Sequence, residues 1–205
     1  MKKIVISSFV LAYLAVASMA IAGMEVLSKD SFSCTGDAAS TTIKAGTGQI
    51  VDQSLCLDVD TNATVTVRRA SKKTKLQAVV AASTNVYVYT TASNKVDGFT
   101  LTTSDYLLIA DSGSTGYQLR QITSIQVYTN YYTHYGLNAV VTADDDSPVY
   151  VIDTTDNVTI PAGASSDQTG LQNMFVGFLG MPIHISLSTG SGPNSVISGV
   201  VSYEK

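Results

Sequence analysis

Hydrophobic and polar residues alternate with a period of two along most of this 205-residue chain. Ala63, Val65 and Val67 are separated by Thr residues, and Ile183 and Ile185 are separated by His. Such alternation is typical of half-buried β-strands, because successive side chains of a strand point to opposite faces. Clusters of Ser, Asn, Asp, Gly and Pro separate the runs, as turns do. The pattern predicts an all-β fold, a β-sandwich or jelly roll.

The first 22 residues have a different pattern. Residues 1–3 include two lysines, residues 4–19 are almost continuously apolar, and residues 20–22 have the small-x-small spacing at which signal peptidases cut. This order predicts a secretory signal peptide. A retained hydrophobic helix or membrane anchor is the alternative, because the run is close to the length that spans a bilayer. We therefore expect an extracellular or surface location, with membrane anchoring if the segment is retained.

The rest of the chain is divided by a faint internal repeat. Residues 76–80 (Leu-Gln-Ala-Val-Val) recur as residues 137–141 (Leu-Asn-Ala-Val-Val). The repeat predicts three parts that follow the signal segment: an N-terminal extension over 23–60, a first β unit over 61–130 and a second over 131–205. A single sandwich over 61–205 is the alternative.

Composition narrows the classes of partner. The net charge is −4 and only 14% of residues are charged, which argues against nucleic acid as a partner, because that function requires a basic face. The two cysteines, Cys34 and Cys56, predict a disulfide in an exported chain, worth about 3 kcal/mol. Two buried free thiols are the alternative.

The densest charge feature is the segment 68–75. Its five basic residues are Arg68, Arg69, Lys72, Lys73 and Lys75. We expect a solvated hairpin tip whose charge protects a sheet edge from unwanted pairing. The alternative is a contact with a partner subunit or another anionic surface. Because Asp144, Asp145 and Asp146 form an opposite patch, one hypothesis is that the two segments meet between subunits.

A tyrosine-rich segment offers a second candidate surface. It contains Tyr128, Tyr131, Tyr132 and Tyr135, with His134 among them. On a strand, Tyr128, Tyr132 and His134 would share one face, while Tyr131 and Tyr135 would share the other. Aromatic faces can bind sugars, so a glycan platform is one interpretation, and cross-strand aromatic packing is the other.

Asp58, Asp60 and Asn62 place oxygen ligands at alternate positions, as calcium loops do. The segment lacks the Gly and Glu of the EF-hand pattern, so the choice is between a calcium site of another type and a polar turn. No other cofactor is predicted. Asn62 and Asn157 begin Asn-x-Thr sequons and are candidate glycosylation sites in a host that glycosylates exported proteins.

Sequence motifs for catalysis are absent. The chain has two histidines, His134 and His184, each in a strand-like stretch where a surface or edge position is expected. It contains no nucleophile elbow, no His-x-x-x-His pair and no phosphate-binding glycine loop. We therefore expect a non-enzymatic protein.

The last third of the chain carries a resemblance to a known class. Its strand-like segments are residues 157–163, 175–180, 182–188 and 197–203, and the last contains Gly-Val-Val-Ser-Tyr. These segments resemble β-sandwich decoration-type proteins on the virion surface of tailed phages. They are also similar to exported β subunits of microbial surface filaments, where a leading segment such as 24–40 can complete the next subunit's sheet.

Taken with the signal segment, this resemblance implies a structural protein that self-associates, or joins other subunits, in an extracellular assembly. That assembly would be a surface filament, a surface layer or a virion exterior. A secreted carbohydrate-binding or adhesin module is the alternative, with surface glycans as partners.

Overall fold

The computed structural model describes residues 27–43, 50–111, 116–128, 131–162, 181–188 and 192–204, and these ranges form an all-β protein, as predicted. Their strands are β1 (Leu27–Thr35), β2 (Ser40–Ile43), β3 (Ile50–Asp58), β4 (Ala63–Lys75), β5 (Val80–Tyr89), β6 (Lys95–Val96), β7 (Phe99–Thr100), β8 (Tyr106–Ala110), β9 (Tyr117–Val127), β10 (Tyr132–Ala143), β11 (Pro148–Ile160), β12 (Ile183–Leu187) and β13 (Val196–Glu204). The predicted signal segment 1–22 and the predicted strand 175–180 lie outside the described residues. Within the described ranges, no helix has the length and hydrophobicity needed to cross a lipid bilayer.

The strands form two main sheets and one small hairpin. A three-stranded sheet has the order β1-β13-β3, and an eight-stranded sheet has the order β2-β12-β4-β11-β8-β9-β10-β5. Strand β1 pairs with β13 of its own chain, so the segment considered as a donor strand completes an intramolecular sheet. Strands β6 and β7 are joined by Asp97 and Gly98, whose φ angles of 47° and 81° match the type I′ turn that Asp-Gly favours.

The alternation seen in the sequence places the main core residues correctly. Ala63, Val65 and Val67 of β4 pack with Ile183 and Ile185 of β12 in a first hydrophobic cluster. The cluster also includes Cys34, Val59, Ile160, Leu187 and Ile197, so it joins both main sheets. Complete burial of such side chains contributes about 1.5–3 kcal/mol for each Val or Ile.

Strand β11 takes part in three hydrophobic clusters. Ile160 packs in the first, Val149 and Val151 pack in a second with residues of β5, β8, β9 and β10, and Tyr150 and Ile152 pack in a third with Leu108 and Ala70. The residues are sorted in this way because neighbouring positions on a strand point to opposite faces of the sheet.

The ladder between β4 and β11 is interrupted near its middle. The partner of Val151 is Lys72 and the partner of Ile152 is Ala70, so Ser71 is an extra residue in β4. Thr154 then pairs with Arg69, which leaves Asp153 as an extra residue in β11. The ladder runs across the predicted boundary at residue 131, and the division into two β units stays a prediction.

The predicted repeat does not have the same structure in its two copies. Residues 137–141 lie within β10, whereas residues 76–79 lie between β4 and β5, with only an isolated bridge from Leu76 to Val88. Leu76 is nevertheless completely buried in the second cluster. The shared Leu and Val pattern therefore marks buried residues in both copies. Only the second copy, residues 137–141, is a β-strand throughout.

Candidate functional site

Four aromatic rings on β5, on β10 and directly after the end of β9 form a continuous surface, which we term the aromatic face. They are Tyr87, Tyr128, Tyr132 and His134. Strand pairing places Tyr87 directly opposite His134, and Gln126 of β9 flanks His134 on the other side. Tyr128 is in ring contact with both Tyr132 and His134.

The rings of the aromatic face contact one another closely. The ring centre of Tyr87 lies 5.0 Å from that of His134 and 5.8 Å from that of Tyr128. Tyr128 and Tyr132 are stacked, with ring centres 6.0 Å apart and an interplanar angle of 16°. Aromatic pairs in this range each contribute about 0.5–1.5 kcal/mol beyond the burial of their surface. The rings thus hold one another in place while Tyr128 remains 49% exposed and Tyr87 36% exposed.

The electrostatics of the aromatic face disfavour ionised tyrosine. The Tyr87 phenol beside it raises the pKa of Tyr128, and partial desolvation acts in the same direction. At neutral pH Tyr128 is therefore a neutral phenol, which donates and accepts hydrogen bonds.

Tyr135 cannot belong to the predicted glycan platform. Its side chain is fully buried in the second cluster, opposite Val86, because it occupies the inward position of β10. Burial raises the pKa of Tyr135 to about 12. Tyr131, the fourth predicted platform residue, is 74% exposed and lies beside the aromatic face in sequence.

The prediction that the basic segment forms a hairpin tip is wrong, because residues 68–75 continue strand β4. Arg69 forms an ion pair with Asp156, and the Arg68 guanidinium lies 4.8 Å from the centre of the Tyr106 ring. The Nζ of Lys73 lies 5.7 Å from the centre of the Tyr150 ring. Long basic side chains can occupy a central strand because their aliphatic stems cover apolar surface while their charged ends find partners.

The charged segments predicted to meet between subunits meet within one chain. Nζ of Lys75 lies 2.7 Å from Oδ1 of Asp146, and Nζ of Lys72 lies 3.6 Å from Oδ2 of Asp97. Lys75 also lies over Tyr89, 5.0 Å from its ring centre. Asp144 and Asp145 are exposed in the same turn as Asp146. For Lys75 and Asp146, the opposite charges thus stabilise the fold of a single subunit.

The predicted disulfide is not formed. Cys34 is a free thiol, 2% exposed, and burial raises its pKa. Cys34 and Cys56 lie on β1 and β3, and β13 runs between these strands, with Ile197 opposite Cys34 and Ser198 opposite Cys56. Two strand spacings amount to about 9.5 Å, which exceeds the Cα separation of about 7 Å that a disulfide can bridge.

The candidate calcium ligands make hydrogen bonds within loops. Asp60 accepts a 2.5 Å hydrogen bond from the Ser195 hydroxyl, which lowers the pKa of Asp60. Asn62 accepts one from the backbone N–H of Ala162 at 2.9 Å, while Asp58 is exposed. Among the described residues, no group of three or more His, Cys, Asp or Glu is placed to hold a metal ion. The calcium site stays a prediction.

The two sequon asparagines, Asn62 and Asn157, are both exposed. The Asn157 side chain accepts a 2.6 Å hydrogen bond from the Thr66 hydroxyl across the β4–β11 ladder. Glycosylation of either residue stays a prediction.

His184 is buried, contrary to the expected surface position. It lies directly opposite Arg68 in the β12–β4 ladder and is 6% exposed. Burial, together with the neighbouring Arg68 charge, lowers the pKa of His184 to about 4. His184 is therefore neutral at pH 7. Arg68 is held in place by donating from Nη1 to the Ser186 hydroxyl at 3.2 Å.

Sequence reasoning missed a cleft of about 280 Å³ between the end of β5 and the β6–β7 hairpin. Its walls are formed by Lys73, Thr74, Tyr89, Thr90, Thr91 and Asp97, with Val96 also in its lining. The Asp-Gly pair at 97–98 is the signal that could have located the hairpin, because this dipeptide favours two-residue turns. No comparable sequence motif indicates that β5 lies beside β4.

Comparison with known proteins gives weak structural matches. No protein family and no curated protein sequence matches the chain. Among solved structures, the VP16–VP17 complex of the two major capsid proteins of bacteriophage P23-77 is 15% identical, with a TM-score of 0.21 over 88% of this chain and 100% of that chain. VP17 alone is 14% identical, with a TM-score of 0.20 over 88% and 98%. The mavirus penton protein is 7% identical, with a TM-score of 0.16 over 89% and 100%. The chain thus has a weak resemblance to viral capsid proteins, at TM-scores that do not establish a common fold.

Proposed function

We propose that the chain is a non-enzymatic structural subunit that associates with further copies of itself through the aromatic face. The observation that carries this proposal is the set of four mutually packed rings on the outer surface of β5, β9 and β10. Clustered exposed aromatic residues are a mark of interaction surfaces in soluble proteins.

The aromatic face has the properties of an interface core. Tyrosine is enriched at such cores and among the residues that dominate binding energy, because its ring buries a large area and its hydroxyl still finds partners. The contacts among Tyr87, Tyr128 and Tyr132 restrict these side chains before any partner arrives. Less side-chain entropy is then lost on binding, so more of the contact energy becomes affinity.

A second copy of the chain is the occupant that fits the surface. Tyr131, next to Tyr132 in sequence, is 74% exposed, and the four rings of the aromatic face include no acidic residue. A neutral patch of tyrosines can pack against the same patch of a second copy in a two-fold contact.

The proposed setting is an extracellular assembly, either a virion exterior or a microbial surface filament or layer. It is supported by the signal-like order of residues 1–22 and by the low proportion of charged residues. The β-sandwich or jelly-roll arrangement belongs to the same proposal. It is supported by the first hydrophobic cluster, which packs residues of both main sheets together.

Sedimentation velocity and electron microscopy of the purified chain test this proposal. We expect particles larger than a monomer that increase with concentration. The double variant Tyr128→Ser, Tyr132→Ser should remain monomeric with an unchanged circular dichroism spectrum. Val140→Ser, which removes a 54% exposed apolar side chain elsewhere on β10, is the matched control and should assemble normally. A wild-type chain that stays monomeric at every concentration, or a double variant that assembles like the wild type, would refute the proposal.

A secreted glycan-binding module is the second candidate function. The observation that favours it is the 74% exposure of Tyr131 beside the stacked pair of Tyr128 and Tyr132, which leaves ring surface accessible to a sugar. Binding to a glycan array that disappears in Tyr131→Ala and Tyr132→Ala, in a chain that remains monomeric, would favour this function over assembly.

A further inference from the structure

We infer that the cleft between β5 and the β6–β7 hairpin binds a single pyranose ring of a carbohydrate. The cleft uses none of the four residues of the aromatic face, so the inference does not rest on the assembly role. It assigns a sugar site to Tyr89, Thr90 and Asp97 that is separate from the tyrosine platform.

Thr90 is the residue that points to a ligand. Its side chain is 7% exposed, it lines the cleft, and its hydroxyl has no hydrogen-bond partner in the protein. Its backbone is fixed, because its N–H donates to the Tyr131 carbonyl at 2.8 Å. Buried hydroxyls are normally paired, since an unpaired one loses the hydrogen bonds it would make to water. The hydroxyl oxygen is shielded from solvent as it stands, so a ligand hydroxyl in the cleft would supply the missing partner when the Thr90 side chain rotates toward it.

The other walls provide the remaining features of a sugar site. Lys75 covers one face of the Tyr89 ring, which is 37% exposed, and the C–H face of a pyranose can pack on the other face. Asp97 pairs with Lys72 at 3.6 Å and keeps carboxylate lone pairs that accept hydrogen bonds, while Lys73, whose ammonium lies over Tyr150, keeps N–H groups that donate them. Sugar hydroxyls both donate and accept, which matches this mixture. A phosphate would instead favour cations without a carboxylate.

The cleft has room for one sugar ring. A volume of about 280 Å³ corresponds to roughly nine water molecules at about 30 Å³ each. The type I′ turn at Asp97 and Gly98 fixes the far wall, since both residues adopt the left-handed backbone that this turn requires. A terminal or side-branch sugar therefore fits better than the interior of a long chain.

Saturation-transfer difference NMR of the full chain, titrated separately with glucose, galactose, mannose and N-acetylglucosamine, tests the inference. The method observes the sugar, so it works whether or not the protein assembles. We expect a saturable signal with at least one of the four. Thr90→Val should weaken binding about tenfold, as expected for loss of one hydrogen bond, and Asp97→Asn should also weaken it.

Two controls separate binding from folding and from the tyrosine platform. Thr90→Val should keep or raise the thermal midpoint of unfolding, because it replaces an unpaired buried hydroxyl with a methyl group of the same shape. Tyr131→Ala should bind sugar as the wild type does. The inference is overturned if none of the four sugars saturates, or if folded Thr90→Val binds with wild-type affinity. Neither outcome would alter the sedimentation test of assembly.

Discussion

The Nζ atom of Lys75 lies 2.7 Å from Oδ1 of Asp146, so the end of β4 and the turn before β11 are joined by an ion pair within one chain. The pair lies beside Pro148, which is the strand partner of Lys75 and begins the β4–β11 ladder. The contact thus closes one end of the longest ladder in the eight-stranded sheet.

Reversal of the charge on Lys75 should weaken the fold slightly and leave assembly unchanged. We expect Lys75→Glu to lower the thermal midpoint by a small amount, because both side chains are more than half exposed and screened by water. Adding Asp146→Lys should restore the midpoint, and high salt should abolish the difference. An effect of Lys75→Glu on sedimentation without any change in midpoint would instead place this pair at a subunit contact.

The same pair predicts a dependence on alkaline pH. The hydrogen bond to Asp146 raises the pKa of Lys75 above its usual 10.5. The stabilisation that this ion pair gives the fold should be complete below the unfolded-state pKa of Lys75. It should disappear as the pH rises through the higher folded-state pKa. The difference in midpoint between wild type and Lys75→Met should therefore shrink at the alkaline end of a pH series.

His184 should make the protein less stable in acid. The unfolded chain protonates this histidine near pH 6.5, whereas the folded chain resists protonation until about pH 4. Stability is therefore complete above pH 6.5 and decreases by about 3 kcal/mol as the pH falls to 4. Urea unfolding across this range should show the slope, and His184→Gln should reduce it. A slope that disappears in His134→Gln instead would contradict this assignment.

Cys34 should be unreactive in the native protein. Its thiol is buried and has a raised pKa, so little thiolate is available for alkylation. Iodoacetamide followed by mass spectrometry should modify Cys34 only after unfolding. Because the thiol is free, reductant should not change the thermal midpoint. A midpoint that falls on reduction would show that a disulfide forms after all.

Two glycines with positive φ should differ in their tolerance of alanine. At Gly98 a Cβ would meet nothing within 4 Å, so Gly98→Ala should cost only the backbone strain of about 1 kcal/mol. At Gly192 the Cβ would in addition overlap with the Asp60 carboxylate. We therefore expect Gly192→Ala to cost more, about 2–4 kcal/mol in urea unfolding. Equal costs would contradict the close approach of Asp60.

The sequence predicted those parts of the fold that depend on local alternation. The core positions of β4 and β12 follow from Val65, Val67 and Ile185, because one buried face requires every second residue to be apolar. The basic segment 68–75 has the sequence pattern of a turn, because the alternation of apolar residues ends at Val67. The extra residue Ser71, and aromatic rings that belong to other strands, allow the strand to continue.

The candidate sites were predicted only where they lie on one segment. Alternation placed Tyr128, Tyr132 and His134 together, but Tyr87 comes from β5, and no local pattern fixes the register of distant strands. The cleft at Thr90 was missed for the same reason. The free state of Cys34 depends on β13 passing between β1 and β3, which cysteine spacing cannot reveal.

Strand β11 contributes side chains to all three hydrophobic clusters. Within the described residues, none of these three clusters can therefore come apart without disturbing a strand on which the other two depend. Unfolding should consequently be an all-or-none event for the whole described structure, and amide protons in the β4–β11 ladder should exchange only through that global opening. For a subunit of an exposed assembly, such cooperativity would leave proteases few partially open forms to attack.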